Sequence, residues 1–186
     1  MTPFMKILKP TSTLFLLALM GCQTLEHAIH PSKPLELEFY EVSTKEKSNI
    51  LITSTPIISQ KVGEGWNVGE RLMGEIFVER TPKEIVTNRF SQFAINYPEK
   101  HSKIETCEIQ NFSSYYENKV PVWWVQSGVR LKITLTDKSE FIVYSRKEGI
   151  PPPRISLNVS ETIRVGLTQR LDDALNDCMS QIGQKI

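Results

Sequence analysis

Three cysteines and three histidines are among the side chains of this 186-residue chain that could attack a substrate, hold a metal or move a proton. His27 and His30 have a spacing that metal ligands use, but they stand in QTLEHAIHPSKP with no third ligand, and they read as decoration of a linker. A hydrolase needs a base beside its nucleophile. No histidine sits on an apparent core strand next to a serine and an aspartate. Glu36 and Glu38 share one face of an extended stretch, with Glu75 and Glu79 further on. They read as the solvated face of a sheet, not as the flanking acid pair of a glycosidase. In VGEGWNVGE the spacing of Gly63, Gly65 and Gly69 misses the dinucleotide fingerprint, and no lysine-serine pair makes a phosphate loop. That stretch reads as a flexible or hairpin loop displaying Trp66. The expectation is a chain that is not an enzyme and needs neither cofactor nor metal, with an envelope hydrolase as the least favoured reading.

Cys22 has a different context. Lys6 and Lys9 form a basic start, Leu14 to Leu19 an apolar run, and Met20 and Gly21 lead into the cysteine. A basic region, a short apolar region and a small residue at a cut site describe an export signal. A membrane-spanning helix needs about 20 apolar residues, and this run is far shorter. The Leu-x-Gly-Cys ending resembles the lipobox of bacterial lipoproteins. The resemblance implies that Cys22 becomes the lipidated first residue of the mature chain, carrying palmitate-type acyl chains. Each buried methylene contributes ~0.8 kcal/mol, so several chains give durable anchoring. Gln23, where an aspartate marks inner-membrane retention in such proteins, implies the outer membrane of a Gram-negative cell.

These readings divide the chain into a signal peptide at 1–21, a lipidated cysteine and tether at 22–34, and a periplasmic domain at 35–186. Loss of residues 1–21 removes Lys6 and Lys9 and no acid, leaving 20 basic against 21 acidic residues. A near-neutral domain lacks the basic stripe that nucleic acid requires. Cys107 and Cys178 then remain as an even pair in an oxidising compartment. One reading is a disulfide, which by closing about 70 residues would contribute ~4 kcal/mol in the chain-entropy model. The other is two separate buried thiols.

The elements that must position these residues are legible as periods. Leu35, Leu37 and Phe39 alternate with polar neighbours, as a half-buried strand does, and Ile50 to Ile52 read as its pairing partner. Thr81-Pro82-Lys83-Glu84 is a helix start with a capping box. Asn96 to Ser102 is a break, and Ile104 to Phe112 a strand carrying Cys107. Val129 to Leu135 and Phe141 to Val143 flank a polar turn, the clearest hairpin of the chain. From Ser160 a long helix places Ile163, Leu167, Leu171, Leu175, Cys178 and Ile182 on one stripe. Tyr115, Tyr116, Trp123 and Trp124 surround Val120-Pro121-Val122. They read either as a two-sided core hairpin or, with Trp66, as an interaction patch, since exposed aromatics anchor protein partners and membrane interfaces.

The expected fold is α+β, a mostly antiparallel sheet with two helices packed on one face. The run VRLKITLTDKSEFIVYS followed by ETIRVGLTQRLDDALNDCMSQI resembles the C-terminal half of small envelope lipoproteins of the ABC-transporter auxiliary and YajG-like type. With no catalytic constellation and an ordinary compact domain, the expectation is a non-enzymatic accessory or scaffold subunit of a cell-envelope complex, anchored in the membrane and bound to an envelope protein. The alternative is a periplasmic carrier of a lipid or small ligand.

Overall fold

The computed structural model describes residues 34–40, 47–66, 72–119, 122–151 and 159–186. Cys22, with the signal and tether segments, lies outside the described residues. In chain order the elements are β1 (Leu35–Leu37), β2 (Leu51–Ser54), β3 (Lys61–Trp66), β4 (Leu72–Val78), α1 (Pro82–Asn96), α2 (Pro98–His101), β5 (Ile104–Lys119), β6 (Val122–Leu135), β7 (Glu140–Gly149) and α3 (Val159–Lys185).

The strands make one seven-stranded sheet in the order β1-β4-β3-β5-β6-β7, with β2 added to β5. Pairs β3/β4, β5/β6 and β6/β7 are antiparallel. Pairs β1/β4, β2/β5 and β3/β5 are parallel. The class is α+β, but the sheet is mixed and three helices are present among the described residues. The expected mostly antiparallel sheet with two helices on one face is therefore corrected. Alternation along a strand tells which side chains face the core, and says nothing of the neighbour or its direction. Here the β4–α1–α2 passage brings the chain back before β5, which makes β5 parallel to β3. Likewise β1 and β2 do not pair with each other. One edge of the 16-residue β5 is shared between β2, at Thr106 to Ile109, and β3, at Ser114 to Glu117.

Gly63 and Gly65 of the glycine-rich stretch lie in β3 where a loop was expected, and residues 67–71 lie outside the described residues. A Cβ on Gly65 would lie 1.7 Å from Cζ of the fully buried Tyr116, so bare glycine backbone is what lets that ring lie across β3.

The helices form where their caps and stripes predict. Thr81 accepts from the Glu84 N–H at 3.3 Å, and the Glu84 carboxylate accepts from the Thr81 N–H at 2.8 Å. The break expected at 96–102 holds the last residue of α1 and the extra helix, α2. All six predicted stripe residues of α3 are fully buried, where the helix crosses β6 and β7 and reaches β1 and β5. Small residues let it come close. Ser114, Ser127 and Ser145 lie buried on the sheet, and a Cβ on Gly166 would meet Pro151 Cβ at 2.6 Å. The buried hydroxyls are satisfied, as burial demands: Ser114 and Ser127 bond each other at 2.9 Å, and Ser145 donates to Asp177 at 2.7 Å.

Candidate functional site

Register gathers the tryptophans. Trp66 closes β3 opposite Leu72 of β4 and Glu117 of β5, and Glu117 in turn faces Trp124 of β6. Trp123 faces Asn118 beside them. On the far side Val125 pairs with Gly149, so exposed Ile150 follows at the level of Trp124. All three tryptophans of the chain thus stand at one end of the sheet.

Successive residues of a strand point to opposite faces, and this divides the predicted aromatic patch. Tyr116 and Trp123 belong to the helix side, their ring centroids 5.8 Å apart. Burial pushes the Tyr116 phenol up to about 12. Tyr115 and Trp124 lie half-buried on the outer face. Burial and then the neighbouring Glu117 carboxylate raise the Tyr115 phenol above its usual range. Lys119 Nζ stands 4.9 Å from the Trp124 ring centroid and 3.3 Å from Glu117. The opposite end of the sheet is of another character. There Lys138 turns at φ 70° and pairs with Glu105 at 2.6 Å, while Asp137 accepts from the Ser139 N–H and hydroxyl at 2.9 and 2.6 Å.

Cys107 on β5 and Cys178 on α3 are both free and fully buried. Cys178 Sγ donates to the Val129 carbonyl at 3.6 Å. Burial pushes the Cys178 thiol up to about 12. Burial, with the nearby Cys178 adding to it, raises Cys107 well beyond the usual thiol range. Only a thiolate is nucleophilic, so neither sulfur is set up to react. A maleimide reagent should leave both untouched in the native protein and label both after denaturation without reductant. A denatured, unreduced chain with neither labelled would show that they are bonded.

The structure assembles one nucleophile–base pair that the sequence hid. Ser48 Oγ lies 2.9 Å from His101 Nε2, across 53 residues. Desolvation lowers the His101 pKa. The Ser48 N–H donates to Ser91 Oγ at 2.9 Å, and its Oγ accepts from the Ile50 N–H at 3.3 Å. Among the described residues no carboxylate hydrogen-bonds His101, so the ring has no third group to orient it as a base. What the contacts do is fasten the entry to β2 onto α1 and α2. Elsewhere, a groove of about 510 Å³ runs between α1, α2 and α3, lined by Phe93, Tyr97 and Met179 with Arg89 and Lys100. Its cations are engaged, Arg89 with Asp172 and Lys100 with the Gly183 carbonyl. Among the described residues no group of three His, Cys, Asp or Glu could hold a metal.

No protein-family model matches the chain, and no curated protein does. Among solved structures it is similar in outline to a Xanthomonas campestris protein assigned to DUF330, at 10% identity and TM-score 0.41, over 84% of this chain and 92% of that one. A second similar structure, described as an uncharacterized protein, has 6% identity and TM-score 0.35, over 80% of this chain and 92% of its own.

The convergence of Trp66 with Trp123 and Trp124 was expected only as a contribution to one patch. The signal that places them together is the pairing of β3 with β5, and nothing local in VGEGW announces it.

Proposed function

We propose that this chain is an outer-membrane-anchored lipoprotein whose folded domain serves as a non-enzymatic accessory or scaffold subunit of an envelope complex. The observation that carries the reading is Cys22 behind Leu19-Met20-Gly21, at the end of a basic and then apolar leader. Acylation there holds the domain at the membrane, and tethering raises its effective concentration near membrane partners. Replacing Cys22 with alanine should release the protein from the membrane fraction and change its gel mobility. Continued membrane residence with unchanged mobility would sink the anchor. Crosslinked envelopes should yield a stable partner with the wild-type chain, and recovery of none would count against the scaffold role.

A second reading, a carrier of a lipid or small ligand, is favoured by the groove between α1, α2 and α3. Phe93, Tyr97 and Met179 give it an apolar wall. Trp124 takes no part in this groove, because it is on the face opposite the buried Val125. Native mass spectrometry of gently extracted protein should show retained ligand if this reading holds.

A further inference from the structure

We propose that the tryptophan-bearing end of the sheet is a second membrane contact, which seats the domain end-on against the bilayer that its acyl chains enter. The inference rests on the anchor reading for which membrane is met, and on the structure for which end meets it.

Three observations select this end and this occupant. First, the register row running through Leu72, Trp66, Glu117 and Trp124 to the level of Ile150 spans five strands. With Trp123 one register position along, it accounts for every tryptophan of the chain, the residue type most suited to the boundary between hydrocarbon and headgroups. Val122 and Trp124 are only partly covered, and Ile150 is 52% exposed. The other end carries the Lys138–Glu105 pair and Asp137, and no tryptophan.

Second, the chain enters the domain from this side. β1 runs parallel to β4, with Leu35 level with Ile76, so Pro34 points toward the end where β4 begins at Leu72. Residues 22–33 reach at most about 40 Å when extended. A domain held on so short a leash from this side presents this end, and not the charged one, to the membrane.

Third, the charges at the end are matched to one another. Lys119 lies against the Trp124 ring and pairs with Glu117. A lysine so placed can lay its apolar stem along the ring and keep its ammonium among headgroups. Since Glu117 offsets it, the contact is aromatic and interfacial in kind and should outlast added salt, which screens only exposed charge.

The test uses the full chain extracted from membranes and mixed with phosphatidylethanolamine–phosphatidylglycerol vesicles. Their lipids are unlabelled, brominated near the headgroup end of the acyl chain, or brominated near its tip. Flotation reads the anchor, and tryptophan emission reads this end alone, because no tryptophan lies elsewhere. Emission should shift to the blue and be quenched more by shallow than by deep bromines, at low and at high salt. Trp124→Asp, a change on the outer face, should remove most of the quenching while the far-ultraviolet dichroism stays the same. Floated protein with emission identical in brominated and plain vesicles would overturn the proposal, leave the anchor standing and point to a protein partner at this end. Undiminished quenching in Trp124→Asp would overturn it as well. Protein that is quenched but fails to float would reject the anchor and retain the contact.

Discussion

Gly63→Ala should cost this domain about 3 kcal/mol or more, at or beyond the upper end of what overpacking costs. A Cβ built on Gly63 would lie 1.7 Å from the Ser114 carbonyl oxygen and 2.8 Å from its carbonyl carbon. Those are backbone atoms of a central strand, so no rotamer change relieves the clash. β5 cannot retreat, because β6 pairs with it along almost its whole length. β3 must therefore move, and β4 and β1 hang on the sheet through β3. Val62, Ile76, Val78 and Leu37 would lose their burial with it. For a chain of this size each kcal/mol lowers Tm by ~2–4 °C, so a fall of ~10 °C is expected. Gly183→Ala is the control. There the nearest atom to an added Cβ is Phe93 Cε2 at 3.6 Å, an ordinary contact. Within α3 the change should gain ~0.5–1 kcal/mol from helix propensity. Thermal melts in which the two variants behave alike would contradict the packing of β3 on β5.

What was legible in the sequence was whatever a residue and its near neighbours decide. The Thr81–Glu84 box is a contact across three positions, and it forms as expected. The α3 stripe needs only the helical period, and each of its six residues is buried. The hairpin around Asp137 needs only a turn between two alternating runs. Partners at long range were not legible. Leu35 pairs with Ile76 and Leu51 with Thr106, choices made by competition among extended segments of similar composition. The glycines of β3 misled for a related reason. Gly63 and Gly65 look like a loop until the carbonyl of Ser114 and the ring of Tyr116 occupy the space their side chains would fill. The site followed the same division. Four of its aromatics were visible as a hairpin cluster, and alternation separated the core pair Tyr116 and Trp123 from the outward pair. That Trp66 stands in register with them follows only from the parallel β3/β5 pairing.

The second large effect is expected at Leu171. This side chain is fully buried in the middle of the α3 stripe, between Leu167 and Leu175 one turn to either side. Leu→Ala costs 2–5 kcal/mol in such places, the value rising with the cavity that the surroundings fail to close. Closure is hindered here on both sides. Val129, Leu131 and Ile133 of β6 are fully buried on a strand paired along both edges, so the floor beneath α3 cannot rise. Nor can the helix settle, because it is pinned to β7 by Gln181 and Lys185, which donate to the Tyr144 and Ile142 carbonyls at 3.0 and 3.4 Å. The loss should therefore fall in the upper half of that range, ~3.5–5 kcal/mol, a large part of the ~5–15 kcal/mol that a domain has. Leu171→Met, which conserves volume, should cost under about 1.5 kcal/mol. Denaturant titration separates the two if the midpoint moves and the slope does not, since an altered slope would signal a changed unfolded or native surface. Equal, small losses in both variants would mean that α3 rests on the sheet without filling it.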